Sequence, residues 1–382
     1  MLIEEVNTRK LLRQFVIFPD KLYRNCPQYV PALHSEQIHS LTECASLDYC
    51  THVLFLARAQ EGDDAVKAGI ARKGDVVGRI SAFINPRYNE LYGKKCCRFG
   101  WFDCIEDFSV AQALITAAEQ WARSHGMNQI HGPLYYNTLG KQGMLVEGFD
   151  KTPQFNTLYN YPYYVDYMER LGFVKECDWV QYIMYGWHLP ERLEKIADRL
   201  QERYRLHFEN IEKIKKDPEQ VHAFLQLYSD TFARSVYNFI PFTEKEMEEE
   251  AKGSISMLKD SHCNMLYDDE NNLAGFGINF PSISKALQKA KGSLFPFGWF
   301  HLLKAIYGKN DTVDLMINGT APKWSGKGLS AVYHKEGARK LGLVGVRYSI
   351  SNPQIETNQA ANVWSDYSSE LYMRRRCFIK DI

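Results

Sequence analysis

The 382 residues carry 46 basic and 46 acidic side chains, for a net charge of zero. Hydrophobic residues make up 45% and aromatics 13%. That composition excludes a disordered chain, and the balanced charge argues against a dedicated nucleic-acid binder, which carries a basic stripe.

Taken in chain order, the first half opens with a strand at 2–6 and a helix at 8–23, with Thr8 as N-cap and Pro19 ending or kinking it. A short helix follows Pro31. Strands are expected at 52–58, 65–71, 76–84 and 94–104, and then comes the amphipathic helix 109–124. A strand at 128–131, a long aromatic stretch, a helix at 162–171 and a strand at 178–185 complete the half. Residues 191–204 form a charged helical connector. The second half repeats the order. It has a strand at 206–211, helices at 218–232 and 243–258 (Thr243 and Glu246 placed for a capping box), and a hairpin of 263–267 with 273–280. A strand at 312–317, a helix at 329–341, a strand at 345–351, a helix across 355–368 and a strand near 376–379 follow. Residues 284–309, rich in Lys, Gly and aromatics, read as an insertion. The expected division is a domain at 1–188, a connector at 189–204 and a domain at 205–382. Identity between the halves is limited to Val77-Gly-Arg-Ile80 against Ala274-Gly-Phe-Gly277, so the shared element order carries the case for duplication.

One stretch carries chemistry. Pro322 stops the strand at 312–317, Gly326 and Gly328 permit a close turn, and Leu329, Val332, Tyr333, Ala338 and Leu341 have helical spacing. A glycine turn into a helix N-terminus presents unpaired N–H groups and the positive dipole end, a site for phosphate or pyrophosphate, and Lys327 adds charge. The same pattern also serves as a plain strand-to-helix turn. It matches neither the Rossmann nor the P-loop pattern. The run Arg374-Arg375-Arg376 reads as a solvated strand end or a local salt-bridge partner. Nine cysteines, an odd number without a C-x-x-C pair, predict reduced thiols and no zinc site, and lone histidines such as His131 or His207 read as structural. With no apolar leader and no long uncharged run, the expectation is a cytoplasmic protein, monomeric or homodimeric, with no metal, nucleic-acid or membrane partner.

The β–α–α–β–β–β–α–β–α–β–β order resembles the GNAT superfamily of acyl-CoA-dependent N-acyltransferases, which implies a mixed-sheet α/β fold in tandem. That family's fourth strand runs into Pro-x-aromatic-Arg/Gln-Gly-x-Gly-x-Gly/Ala; here Pro322, Trp324, Gly326 and Gly328 match, while Ser325 and Ser330 depart from it. In the first half, Asp166-Tyr-Met-Glu-Arg-Leu-Gly-Phe173 is similar to a family helix end. Its phosphate loop differs, since 105–108 reads Ile-Glu-Asp-Phe with two carboxylates and no glycine. The stretch from Gly132-Pro133 through Gly143 to Asn160-Tyr-Pro-Tyr-Tyr164 resembles a bacterial tandem group of unestablished substrate.

The resemblance implies acyl transfer, acetyl in the first instance, from acyl-CoA to an amine of a small molecule or peptide. It places CoA on Gly319, Thr320, Ser325, Gly326, Lys327, Gly328, Leu329, Ser330 and Asn358, with Asn318 beside the thioester. Aligning Asn358-Gln-Ala-Ala361 with the family's Asn-x-x-Ala puts Ser365 at the usual acid tyrosine. Tyr367 lies about 200° further round a helix, and is either the acid or a packing residue between the domains. Asp314 and Glu356 are either bases or surface carboxylates and caps. Tyr159, Tyr161, Tyr163, Tyr164 and Tyr167 either line an acceptor groove or fill the interface between halves. Two rivals remain: a non-catalytic CoA- or metabolite-binding protein, and an aminoacyl or long-chain acyl transferase.

Overall fold

The computed structural model describes residues 1–138, 140–186, 189–235, 237–358 and 367–382. The elements in order are β1 (Leu2–Glu5), α1 (Arg9–Leu22), α2 (His34–Thr42), β2 (Thr51–Arg58), α3 (Asp64–Lys67), β3 (Val76–Ile84), α4 (Pro86–Tyr92) and β4 (Cys96–Cys104). Next come α5 (Phe108–Ser124), β5 (Gln129–Gly132), β6 (Met144–Glu147), α6 (Tyr163–Arg170) and β7 (Val174–Tyr185). The chain continues with α7 (Glu191–Arg203), β8 (His207–Glu209), α8 (Ile211–Ile214), α9 (Pro218–Ser235), α10 (Glu244–Glu250), β9 (Cys263–Tyr267) and β10 (Leu273–Pro281). It closes with α11 (Ser284–Ala290), α12 (Gly298–Tyr307), β11 (Thr312–Thr320), α13 (Leu329–Leu343), β12 (Tyr348–Ser351), β13 (Gln354–Ile355) and β14 (Ser369–Asp381).

The fold is mixed α/β, in two compact units that are discontinuous in sequence. The first comprises Met1–Trp179, Ser284–Leu302 and Met373–Ile382; the second comprises Val180–Ile283 and Leu303–Tyr372. Strands β7 and β14 each run from one unit into the other, and the inserted α11 belongs to the first unit.

In the first unit the strand order is β1-β2-β3-β4-β5-β14-β7. β4 and β5 are parallel, while β14 runs antiparallel to β5, with Phe378 opposite Gly132. Side-chain alternation along β2 sends Val53 and Ala57 to the core under α5, and Leu54 and Leu56 to a second core with Phe15 and Val16 of α1. Thr8 caps α1 as expected, accepting from Leu11 N at 3.2 Å. Pro19 does not end the helix, which continues to Leu22. Its missing N–H frees the Phe15 carbonyl, and Arg79 Nη1 takes that oxygen at 2.8 Å.

The expected strand at 65–71 is instead the one-turn α3 and a turn, because Arg58 pairs directly with Val76 and leaves the stretch as an excursion of the β2–β3 connection. The basic run is not a solvated end: Arg375 is fully buried, donating to Thr157 Oγ1 at 3.0 Å and to the Leu158 carbonyl. Arg376 grips Asp178 at 2.8 and 3.0 Å.

In the second unit the order is β7-β12-β11-β10-β9-β8, with β11 and β12 parallel. The capping box at Thr243 and Glu246 is present. Ile355 lies in a strand rather than at the head of a helix and 356–357 form a turn, while 359–366 of that expected helix, including Ser365, lie outside the described residues.

The one sequence identity between halves now has a physical reason. A Cβ on Gly78 would lie 2.7 Å from Leu114 and 2.9 Å from Val110 of α5. A Cβ on Gly275 would lie 3.1 Å from the Gly319 oxygen and 3.5 Å from Tyr333 of α13. In each half a helix crosses its sheet closely over a strand glycine.

Candidate donor site

In the second unit β11 pairs with β10 along its length, but its pairing with β12 ends at Leu315 opposite Ser351. A register shift opposite Ile278 and Asn279 leaves Met316 as an extra residue, a bulge of the kind that re-aims a strand. Ala321 N donates to Ala274 O at 2.9 Å, so the alternation of an antiparallel pair turns the main-chain groups of Asn318 and Thr320 toward the free side. From Met316 to Thr320 that side has no strand partner among the described residues. Gly319 sits where a Cβ would meet Phe276 at 2.6 Å. Asn318 is exposed, and the Thr320 hydroxyl is 3.5 Å from that of Tyr333.

Beyond it, Ala321 and Trp324 are buried, and Trp324 packs edge-on to Tyr204. Ser325, Gly326, Lys327 and Gly328 are all exposed. Gly326 and Gly328 have φ of +74° and +79°, the left-handed region that a Cβ disfavours. Gly328 is the N-cap of α13, and no side chain caps that helix. Ser325 N and Lys327 N bond within the turn, whereas the amides of Gly326, Gly328, Leu329 and Ser330 find no carbonyl among the described residues. Lys327 Nζ lies 4.7 Å from the Trp324 ring centre. Lys323 is turned away, to Asp268 and Glu270 at 3.3 Å each. The result is an outward-facing cluster of main-chain donors with no carboxylate among its capping groups. Asn358, half-buried after β13, donates its N–H to Ile355 O at 2.9 Å.

The corresponding place in the first unit is closed twice. Asp107 caps α5, accepting from Ser109 N at 2.9 Å and from Ser109 Oγ at 2.7 Å. β4 has its own bulge at Trp101 and Phe102, but the strand is covered beyond it. Leu134 O lies 2.4 Å from a Cβ built on Gly100, Tyr135 stacks on Trp101 at 3.6 Å, and Asn85 Nδ2 holds Tyr136 O at 3.0 Å.

Tyr367 packs against the buried cluster of Met184, Val313, Leu315 and Leu341 within the second unit, and its hydroxyl is 3.2 Å from His334 Nδ1. Burial pushes the His334 imidazole down to about 4, so it is neutral at pH 7. His334 was not singled out by sequence reasoning; its position one residue after Tyr333, in the first turns of α13, is the signal that was available. Asp314 is not a surface carboxylate but fully buried. The tyrosine cluster belongs to the first unit's interior: Tyr163 and Tyr164 hydroxyls bond Cys104 O at 2.7 and 3.0 Å, and Tyr159 bonds Phe149 O at 3.0 Å. Beside it, the buried Arg79–Asp103 pair at 2.7 Å, with Tyr23 donating to Asp103 at 3.0 Å, was likewise not foreseen.

His131, Glu176 and Cys377 gather metal-ligating atoms in the first unit, with His131 Nδ1 at 2.9 Å from Glu176 and Cys377 Sγ at 3.2 Å. These are hydrogen-bond distances in a group that also draws Lys94 to Glu176 at 3.5 Å. No described helix is long and apolar enough to cross a membrane.

The repeated bulged sheet and the glycine turn into α13 describe a tandem GNAT-like fold. Solved structures agree on the fold. The glucosamine N-acetyltransferase region of a fungal multi-domain GH3 beta-N-acetylglucosaminidase matches with TM-score 0.58 at 11% identity, over 99% of this chain and 38% of that one. A tandem GNAT protein from the clavulanic acid biosynthesis pathway matches with TM-score 0.55 at 11% identity, over 100% and 98%.

No family model matches. The chain is 31% identical to Protein YghO of Escherichia coli (strain K12) over 297 residues, 76% of this chain and 71% of that protein. It therefore belongs to the YghO family. It is also 27% identical over 308 residues to the bacterial ceramide synthase of Caulobacter vibrioides (strain NA1000 / CB15N), 78% of this chain and 74% of the relative.

Proposed function

We propose that the protein is an acyl-CoA-dependent N-acyltransferase whose second unit holds the donor. The observation that carries this reading is the exposed, uncapped turn before α13, at the end of a strand whose outer edge is free. The coenzyme's pyrophosphate would rest on the amides of Gly326, Gly328, Leu329 and Ser330, with Ser325 and Lys327 at the rim. Its pantetheine arm would lie along Asn318, Gly319 and Thr320 as an added strand, the outward main-chain groups supplying its hydrogen bonds. In the reaction an amine displaces the thiol of a thioester, giving an amide. An outward amide on β11 would polarise the thioester oxygen, and the Tyr367 hydroxyl would return a proton to the departing sulfur. A neutral His334 protonated at Nδ1 donates to the tyrosine oxygen and leaves the phenol proton for that transfer. The first unit, with its turn capped by Asp107 and its cleft covered by residues 134–136, serves as scaffold.

The test is titration of the protein with coenzyme A. Heat and a raised melting temperature are expected in the wild type, with affinity falling at least tenfold in Gly328→Glu, which puts a carboxylate among the donors. Gly328→Asn, which tolerates the left-handed backbone, separates that effect from strain. No heat from the wild type would end the donor reading.

A second reading is favoured by the 27% relationship to a ceramide synthase, a ceramide being the amide of a fatty acid and a long-chain amino alcohol. Release of free thiol from palmitoyl-CoA but not acetyl-CoA, with a long-chain amine present, would select it.

A further inference from the structure

The inserted segment 284–309 is packed at its start and turns apolar side chains outward only beyond it. α11 is anchored, with Leu287 buried, Ser284 Oγ donating to Pro153 O at 2.9 Å and Gln288 Nε2 donating to Pro27 O at 2.8 Å. His34 N binds Gly292 O at 2.8 Å, tying down the turn that follows. After that turn the pattern inverts. Phe295 is 78% exposed, Phe297 72% and Tyr307 67%, and Trp299, Phe300 and Leu303 are also exposed. Within α12, Gly298 and Leu302 face inward. Trp299, Leu303 and Tyr307, four residues apart in succession, form an outer apolar stripe. Scattered exposed apolar residues need no explanation, but six in thirteen positions do.

Charge identifies what covers them. Residues 284–309 contain five lysines and no acidic residue. Lys285, Lys289, Lys291, Lys304 and Lys309 are all exposed, and none has an ion-pair partner among the described residues. A second copy of the chain docked face to face across a twofold axis would set one lysine ring against another. A bare protein partner would have to supply both a greasy floor and an acidic rim. An anionic lipid surface supplies both over any area: aromatic rings settle at the headgroup–acyl boundary while lysines reach the phosphates.

We propose that segment 284–309 is an interfacial anchor that docks the protein on anionic membrane surfaces without spanning them. The sequence expectation of no membrane partner rested on the lack of a spanning run, and surface docking requires none. This inference does not depend on the donor site, so the two stand or fall separately.

The experiment is co-sedimentation of the full chain with vesicles of phosphatidylcholine alone, or of one third phosphatidylglycerol in phosphatidylcholine, at ~0.1 M and ~1 M salt. Binding is expected to the anionic vesicles at low salt, with partitioning reduced at least tenfold on neutral vesicles and in Phe295→Ser/Phe297→Ser. Lys289→Glu/Lys291→Glu should fall as far, with the melting temperature of both variants checked against the wild type. If either pair unfolds, Tyr307→Ser serves in its place. No binding to phosphatidylglycerol vesicles, or equal binding by the folded Phe variant, overturns the proposal. So does a dimer in sedimentation that the Phe variant converts to monomer while vesicles are ignored.

Discussion

Tyr367, at the edge of an apolar cluster, and His334 are joined by a 3.2 Å hydrogen bond, and the chemistry proposed for the second unit turns on that pair. Tyr367→Phe keeps the ring and its packing and removes only the transferable proton. The expected outcome is a kcat lower by roughly 10²- to 10⁴-fold, the usual contribution of a general acid, with the KM for acyl-CoA little changed. A rise in KM alone, with kcat intact, would reassign Tyr367 to packing.

His334 also gives the unit a pH signature. Its folded-state pKa is pushed down by burial to about 4, from an unfolded value of about 6.5. Between those values the unfolded chain binds a proton that the folded chain refuses, so stability falls as pH drops from 6.5 toward 4 and no further below it. Two and a half units correspond to about 3 kcal/mol. His262 of the same unit is also pushed down to about 4 by burial and adds its own loss, so the His334 share is read as the difference between the wild type and His334→Gln in urea unfolding at both ends of that window.

At the scale of elements, two helix N-termini show how one fold takes opposite characters. α5 begins with Asp107, whose carboxylate occupies the Ser109 amide; α13 begins with Gly328, which offers no side chain at all. Both helices sit over a strand glycine and follow a bulged strand, so the difference lies wholly in the capping residue and in what lies along the strand edge. Much of this was legible beforehand. The missing glycines and the two acids at 105–108 already argued against an anion there, and Thr8 and Thr243 announced their caps through residue type. The Tyr135–Trp101 stack that covers β4 was not legible, because it joins residues far apart in sequence. The strand expected at 65–71 failed for a similar reason: local apolar content does not reveal that Arg58 already pairs with Val76.

For the whole molecule, the exchange of chain segments matters most. The last ten residues, Met373–Ile382, belong to the first unit, where β14 pairs with β5 and β6 and Arg375 fills a buried polar slot. A chain ending at Tyr372 would strip β5 of a partner strand and leave the Asp178 carboxylate without Arg376. Such a truncation is expected to unfold the first unit, read as loss of its amide dispersion by NMR or as insoluble expression. A soluble truncated chain with an intact first unit would contradict the role given to β14. The same reasoning predicts that cutting at 188 does not release a stable half, although that boundary is where element order alone invites a cut.

Alternation, caps and turn glycines are local, and they sufficed to determine the mixed α/β class, the duplicated element order and the turn before α13. They act within a few residues, where the choice of side chain dictates the backbone. What only the tertiary structure decided is non-local: which strand lies beside which, that Arg375 is buried although its neighbours suggest a solvated end, that Tyr367 meets His334, and that the later part of the lysine-rich insertion leaves Phe295 and Phe297 exposed. Those outcomes depend on pairing between distant segments, whose energy no window of sequence contains.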